Sequence, residues 1–236
     1  FNAALTLPST LTTILMVSLS YVLIPALTQA LSTDRRDPNA SRLANATGTW
    51  TFALGLLCSL AISRLSSSIL RLLCPGFAPA THAIASACLQ VLAWQFALGV
   101  IVSWLNSLEN ASLGFGWPAM VAFLTSIFNL VLAYQWLESG IMGYAWLIIV
   151  TGLLQIFLLV IPLRQSLFQF WSVTHPYLPR LVGRWFPLLI GGAYVRFDPL
   201  VDRYLGSALE EGSIAHLCYA QRLIQALLAL ASGGLL

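Results

Sequence analysis

Long apolar runs separated by short clusters of Pro, Gly and Arg organise this chain. Their lengths predict seven helices at roughly 5–30, 49–72, 83–105, 117–137, 141–163, 185–208 and 213–236, because about 20 apolar helical residues cross a bilayer core. Residues 117–163 would read as one helix but for Gly140 and Gly143, so a tight hairpin is expected around Glu138, Ser139 and Gly140. The expected fold class is all-α, a polytopic transmembrane helix bundle.

Composition narrows the class further. Of 236 residues, 58% are hydrophobic and 8% charged, against about 25% charged in soluble domains. An ordinary soluble domain is excluded. All 11 basic residues are Arg, and a net charge of +3 is too small and too dispersed for a nucleic-acid surface. Cys58, Cys74, Cys88 and Cys218 have no C-x-x-C spacing and read as small packing residues. His82, His175 and His216 are too scattered to suggest a metal site, and neither a metal nor a cofactor is expected. No G-x-S-x-G, P-loop or H-E-x-x-H motif supports enzyme chemistry. The missing initiator Met and the ending inside an apolar run suggest a piece of a longer protein.

The loop arginines suggest an orientation. Arg35, Arg36, Arg42, Arg164, Arg180 and Arg184 fall in one set of alternate loops, while the other set carries Arg71, with Arg64 near a helix end. The positive-inside bias makes the first set cytoplasmic. The N-x-[ST] sequons at Asn39, Asn45 and Asn110 lie on that same side and read as chance matches. Residues 163–184 mix arginines with Phe168, Phe170, Trp171 and Tyr177, as a segment at the membrane interface would.

Charge inside the apolar runs is the candidate chemistry. The sixth run carries Arg196, Asp198, Asp202 and Arg203, and the seventh carries Arg222. A charge at mid-bilayer costs about 2.5–3.5 kcal/mol, so five of them imply a bundle interior or a wet cavity. On a regular helix the two acids lie about 40° apart and the two arginines about 20° apart, in widely different directions. Pro199 is expected to kink that helix. Arg222, reached after the turn at Glu211, is expected to pair with one carboxylate and to exchange it for an anionic substrate.

The stretch Asp202-Arg203-Tyr204-Leu205, Glu211-Gly212-Ser213-Ile214 and Tyr219-Ala220-Gln221-Arg222-Leu223 resembles a helix hairpin of the MurJ/MviN lipid II flippases, in the multidrug/oligosaccharidyl-lipid/polysaccharide exporter superfamily. Leu7-Pro8, Ile24-Pro25, Pro75-Gly76-Phe77, Leu105-Asn106-Ser107 and Ala145-Trp146 with Gly152 and Gln155 resemble further parts in the same order. The resemblance implies fourteen helices in two lobes, with this chain supplying the second to the eighth. Residues 1–163 would be the remainder of the N-terminal lobe, 164–184 a cytoplasmic interfacial linker, and 185–236 the start of the second lobe. It implies a monomeric, non-enzymatic flippase of the bacterial cytoplasmic membrane, moving lipid II by alternating access among membrane lipids. Arg222 is carried over from the matching motif, and the substrate-binding set becomes Arg222, Arg196, Asp198, Asp202 and Arg203. Departures are Gln221 where Asp or Asn is commoner, Leu227 where Pro is usual, and charges at Arg196 and Asp198. They keep open another polyprenyl-linked oligosaccharide, of exopolysaccharide or O-antigen type. A membrane glycosyltransferase or acyltransferase would have Glu210 and Glu211 as its candidate groups, and a non-transporting scaffold would carry five costly buried charges for no gain.

Overall fold

The structure is a computed structural model, and it describes residues 1–31, 38–112, 114–136, 140–167, 173–209 and 212–233. Regular structure among them is entirely helical, as expected. The helices are α1 (Asn2–Leu31), α2 (Pro38–Arg64), α3 (Ser66–Leu73), α4 (Pro79–Ala111), α5 (Gly116–Gln135), α6 (Gly140–Leu167), α7 (Leu178–Val195), α8 (Asp198–Gly206) and α9 (Ser213–Gly233).

Two expected helices are broken. The run at 49–72 leaves helical geometry at Leu65, where α2 gives way to α3, while the N–H groups of Leu65 and Ile69 still bond the carbonyls of Ala61 and Leu65. The run at 185–208 opens at Arg196 and Phe197. Pro199 does not kink a helix interior here. It stands in the first turn of α8, where its missing N–H would have had no helical partner in any case. Among the described residues, five helices, α1, α2, α4, α5 and α6, have the length and apolarity to cross a membrane. The sixth expected run is divided where its charges lie, and the end of the seventh lies outside the described residues.

Helix α4 is the central post, packed against α1, α2 and α6 along its length and against α3 near its start. One apolar cluster joins Leu23, Leu27, Leu105, Leu108 and Leu159, and a second joins Leu70, Leu89, Leu92 and Phe96. Apolar burial alone does not hold helices together in lipid, where close packing and interhelical hydrogen bonds do that work. Gly48 lets α2 lie on the ring of Trp104, and Gly99 lets α4 meet Thr12 of α1; a Cβ at either position would collide. Trp104 Nε1 donates to Thr47 Oγ1 (3.3 Å), the hydroxyls of Ser20 and Ser107 bond across α1 and α4 (3.0 Å), and Trp185 Nε1 ties α7 to Ser18 of α1 (2.9 Å). The outer faces stay apolar, with Leu130 and Tyr134 of α5 exposed, as a lipid-facing surface requires.

The four cysteines are free. Asn45 is 5% exposed inside α2, a placement no glycosylation acceptor could use. Glu138, Ser139, Arg35, Arg36, Phe168, Phe170, Trp171, Glu210 and Glu211, which bear on the hairpin, orientation and interfacial readings, lie outside the described residues.

Candidate functional site

A cavity of about 350 Å³ opens where α8 and α9 meet the first half of α1. That is toward the lower end of small-ligand pockets, which run from about 300 to 1,000 Å³. Three arginines reach its wall: Arg196 at the α7–α8 break, Arg203 from α8 and Arg222 from α9. Helix α1 contributes Asn2, Thr6, Ser9, Thr10 and Thr13, and α9 adds Gln221, Gln225 and the thiol of Cys218. No carboxylate belongs to this wall among the described residues.

The break at Arg196 and Phe197 makes this convergence possible, because α8 can follow a different course from α7 and carry Arg203 inward. Arg203 is 5% exposed and donates from Nε to Thr6 Oγ1 at 2.9 Å. Its Nη1 is buried with no hydrogen-bond partner. Arg196 and Arg222 are exposed toward the open space, and neither has a side-chain hydrogen bond or ion pair among the described residues.

The two acids behave differently from expectation. Asp202, half-buried, accepts a hydrogen bond from Gln221 Nε2 at 2.8 Å, so Arg222 is not its partner. An amide at 221 can donate to the carboxylate from the position next to the arginine, and it leaves the guanidinium free. Asp198 is exposed at the start of α8, where the positive end of the helix dipole favours a carboxylate. Of the five candidates, then, Arg196, Arg203 and Arg222 come together in one wall, and Asp198 and Asp202 stand outside it.

The hydroxyl ladder of α1 escaped the sequence reading, although its signal is present. Polar residues at 2, 6, 9 and 13 recur at steps of three or four within an apolar run, which places them on one helix face. Thr6, Ser9 and Thr13 spend their O–H groups on backbone carbonyls of Asn2, Thr6 and Ser9 at 2.8–3.0 Å. Their lone pairs are left for donors such as Arg203.

The loop after α3 closes over α8. Cys74 Sγ lies 3.9 Å from the Arg203 carbonyl, and the Gly76 N–H donates to Ser207 Oγ at 3.4 Å. A Cβ on Gly76 would collide with the Ser207 carbonyl oxygen. Burial pushes the Cys74 thiol up to about 11, against the opposing pull of Arg203.

A second, larger cavity of about 480 Å³ lies between α1 and α4, lined by Met16, Val17, Ser20, Tyr21, Ile24, Pro25, Ser103 and Asn106. Among the described residues it carries no charged side chain and so offers nothing to compensate an anion.

Set against known proteins, residues 1–235 match the family model described as lipid II flippase MurJ. A relative from Bdellovibrio bacteriovorus, named "Probable lipid II flippase MurJ", is 29% identical over 151 residues, 60% of this chain and 27% of that protein. The matched stretch therefore spans about a quarter of the relative's length.

Proposed function

We propose, for a chain that belongs to the MurJ lipid II flippase family, that the arginine cavity holds the pyrophosphate of lipid II as its headgroup crosses the bacterial cytoplasmic membrane. One observation carries the reading: among the described residues three arginines share a wall without a carboxylate, and two of them are unpaired. A pyrophosphate cannot cross hydrocarbon unaided, and guanidinium groups offer it charge-assisted, often bidentate hydrogen bonds.

Residues 1–163 act as part of one lobe, 185–236 begin the other, and 164–184 link them. Contact of α8 and α9 with α1 supports a site at the seam of two lobes. Alternating access at that seam would carry the headgroup while the prenyl chain stays in lipid. Asp198 and Asp202 adjust the field of the arginines from outside the wall. No covalent step is needed, which agrees with a flippase family in place of an enzyme. Arg196 in the wall, at a position the resemblance leaves uncharged, favours as second reading another polyprenyl-linked oligosaccharide that shares the pyrophosphate.

The test uses the full-length protein in bacteria depleted of their own lipid II flippase. Wild type is expected to restore growth and surface-exposed lipid II, and an equally expressed Arg222→Ala to fail. A well-expressed wild type that does not rescue would move the reading to the second substrate. Full rescue by Arg222→Ala would remove the arginine cavity from the mechanism.

A further inference from the structure

Arg203 differs from the other two arginines in being almost completely enclosed, so its neighbours decide which of its N–H groups a ligand can meet. Thr6, 7% exposed, is the neighbour that bonds its side chain. Its hydroxyl hydrogen is committed to the Asn2 carbonyl at 2.8 Å. The oxygen can then act toward Arg203 only as an acceptor, since a hydroxyl has a single hydrogen to give. That acceptor takes Nε–H at 2.9 Å.

A guanidinium grips a phosphate through two parallel N–H groups, either along the edge formed by Nε and one Nη or across its two Nη groups. With Nε held by α1, the edge containing Nε is already in use. The Nη pair remains, and Nη1 is buried without a partner, a state that costs free energy until an acceptor arrives. The Arg203 carbonyl faces the Cys74 thiol, so the residue is held at its backbone as well as at Nε.

We infer that Thr6 is a positioning residue for Arg203: by accepting from Nε it turns the guanidinium so that its Nη pair receives the phosphate oxygens of a prenyl pyrophosphate. This rests on the arginine cavity being the pyrophosphate site. It adds an α1 residue that no charge pattern would single out, and it assigns the geometry of the grip.

The experiment measures farnesyl pyrophosphate affinity of the purified full-length protein in lipid nanodiscs, with thermal stability followed in parallel. Thr6→Val keeps the shape of the side chain and removes the acceptor, and is expected to bind about tenfold more weakly, the scale of one hydrogen bond to a charged group. Thr6→Ser keeps the acceptor and should bind within about twofold of wild type. In an Arg203→Gln background, Thr6→Val should cause no further loss, because the residue it positions is gone. Should Thr6→Val fail to fold, Thr6→Ala with the same Arg203→Gln cycle replaces it.

Wild-type affinity in Thr6→Val, or an equal loss with and without Arg203, overturns the inference while leaving the cavity reading intact if Arg203→Gln and Arg222→Ala still weaken binding. If neither arginine substitution changes affinity, the cavity reading fails and this inference falls with it.

Discussion

Two cavities open on the same face of α1, and they have opposite chemistry. Asn2, Thr6, Ser9 and Thr13 line the smaller, and the face continues through Met16, Ser20 and Ile24 along the larger at the same steps of three or four residues. Near the start of α1 the facing elements are α8, α9 and the break before α8, which together deliver three guanidinium groups. Farther along it is α4, which offers Ser103 and Asn106. There, Ser20 and Ser107 bond to each other and hold two helices together. A polar stripe on a membrane helix becomes an anion site where its partner supplies charge, and a packing device where the partner supplies another hydroxyl. Volume does not decide the matter, since the larger cavity is the uncharged one.

The comparison breaks most sharply at the arginines. Arg222→Ala and Arg203→Gln are each expected to weaken prenyl pyrophosphate binding by about tenfold to a hundredfold, the range of a hydrogen bond to a charged group, as read by titration calorimetry. Next is a contrast in thiol chemistry, tested with Cys58 and Cys88 replaced by Ser. Below its raised pKa Cys74 stays a neutral thiol, so at pH 8 maleimide should label it at least about tenfold more slowly than an ordinary cysteine, and the rate should climb as pH approaches 11. Cys218, in the arginine wall, should instead lose labelling when pyrophosphate is added. Gly76→Ala drives a Cβ into the Ser207 carbonyl and should lower stability by about 1–3 kcal/mol, the usual cost of overpacking, seen as a lowered melting temperature.

Smaller effects sharpen the contrast. Gln221→Leu removes the donor that holds Asp202. The freed carboxylate should turn to the arginines and weaken anion binding about fivefold, from an interaction of roughly 1 kcal/mol. Ser20→Ala in the uncharged cavity should leave binding unchanged and cost about 0.6 kcal/mol of helix packing, the average for such bonds in membranes. A large loss of pyrophosphate affinity in Ser20→Ala would erase the distinction between the two cavities.

Much of the site was legible as charge. Arg196, Arg203 and Arg222 stood out because charge is expensive in an apolar run, and all three reach one wall. The expected carboxylate partner of Arg222 was misread, because Asp202 is taken by Gln221, and a helical wheel drawn through 196–203 assumes a helix that in fact breaks at Arg196 and Phe197. Leu65 gave no warning of the break that ends α2, since it sits in an apolar run with neither Pro nor Gly beside it. Thr6 was passed over because threonine is common in membrane helices, where it bonds its own backbone, and only the approach of Arg203 gives it a second role.

By itself the sequence determined that this is an all-helical membrane protein in which the charges inside apolar runs gather in the last two runs. The length of an apolar run and the desolvation cost of a charge are properties of a segment and need no partner to act. Tertiary structure alone decided which charges meet, which are neutralised and which hydroxyls face them. Those outcomes depend on distances of a few ångströms between α1, α8 and α9, set by where helices break and by how closely Gly76 lets the loop after α3 approach α8.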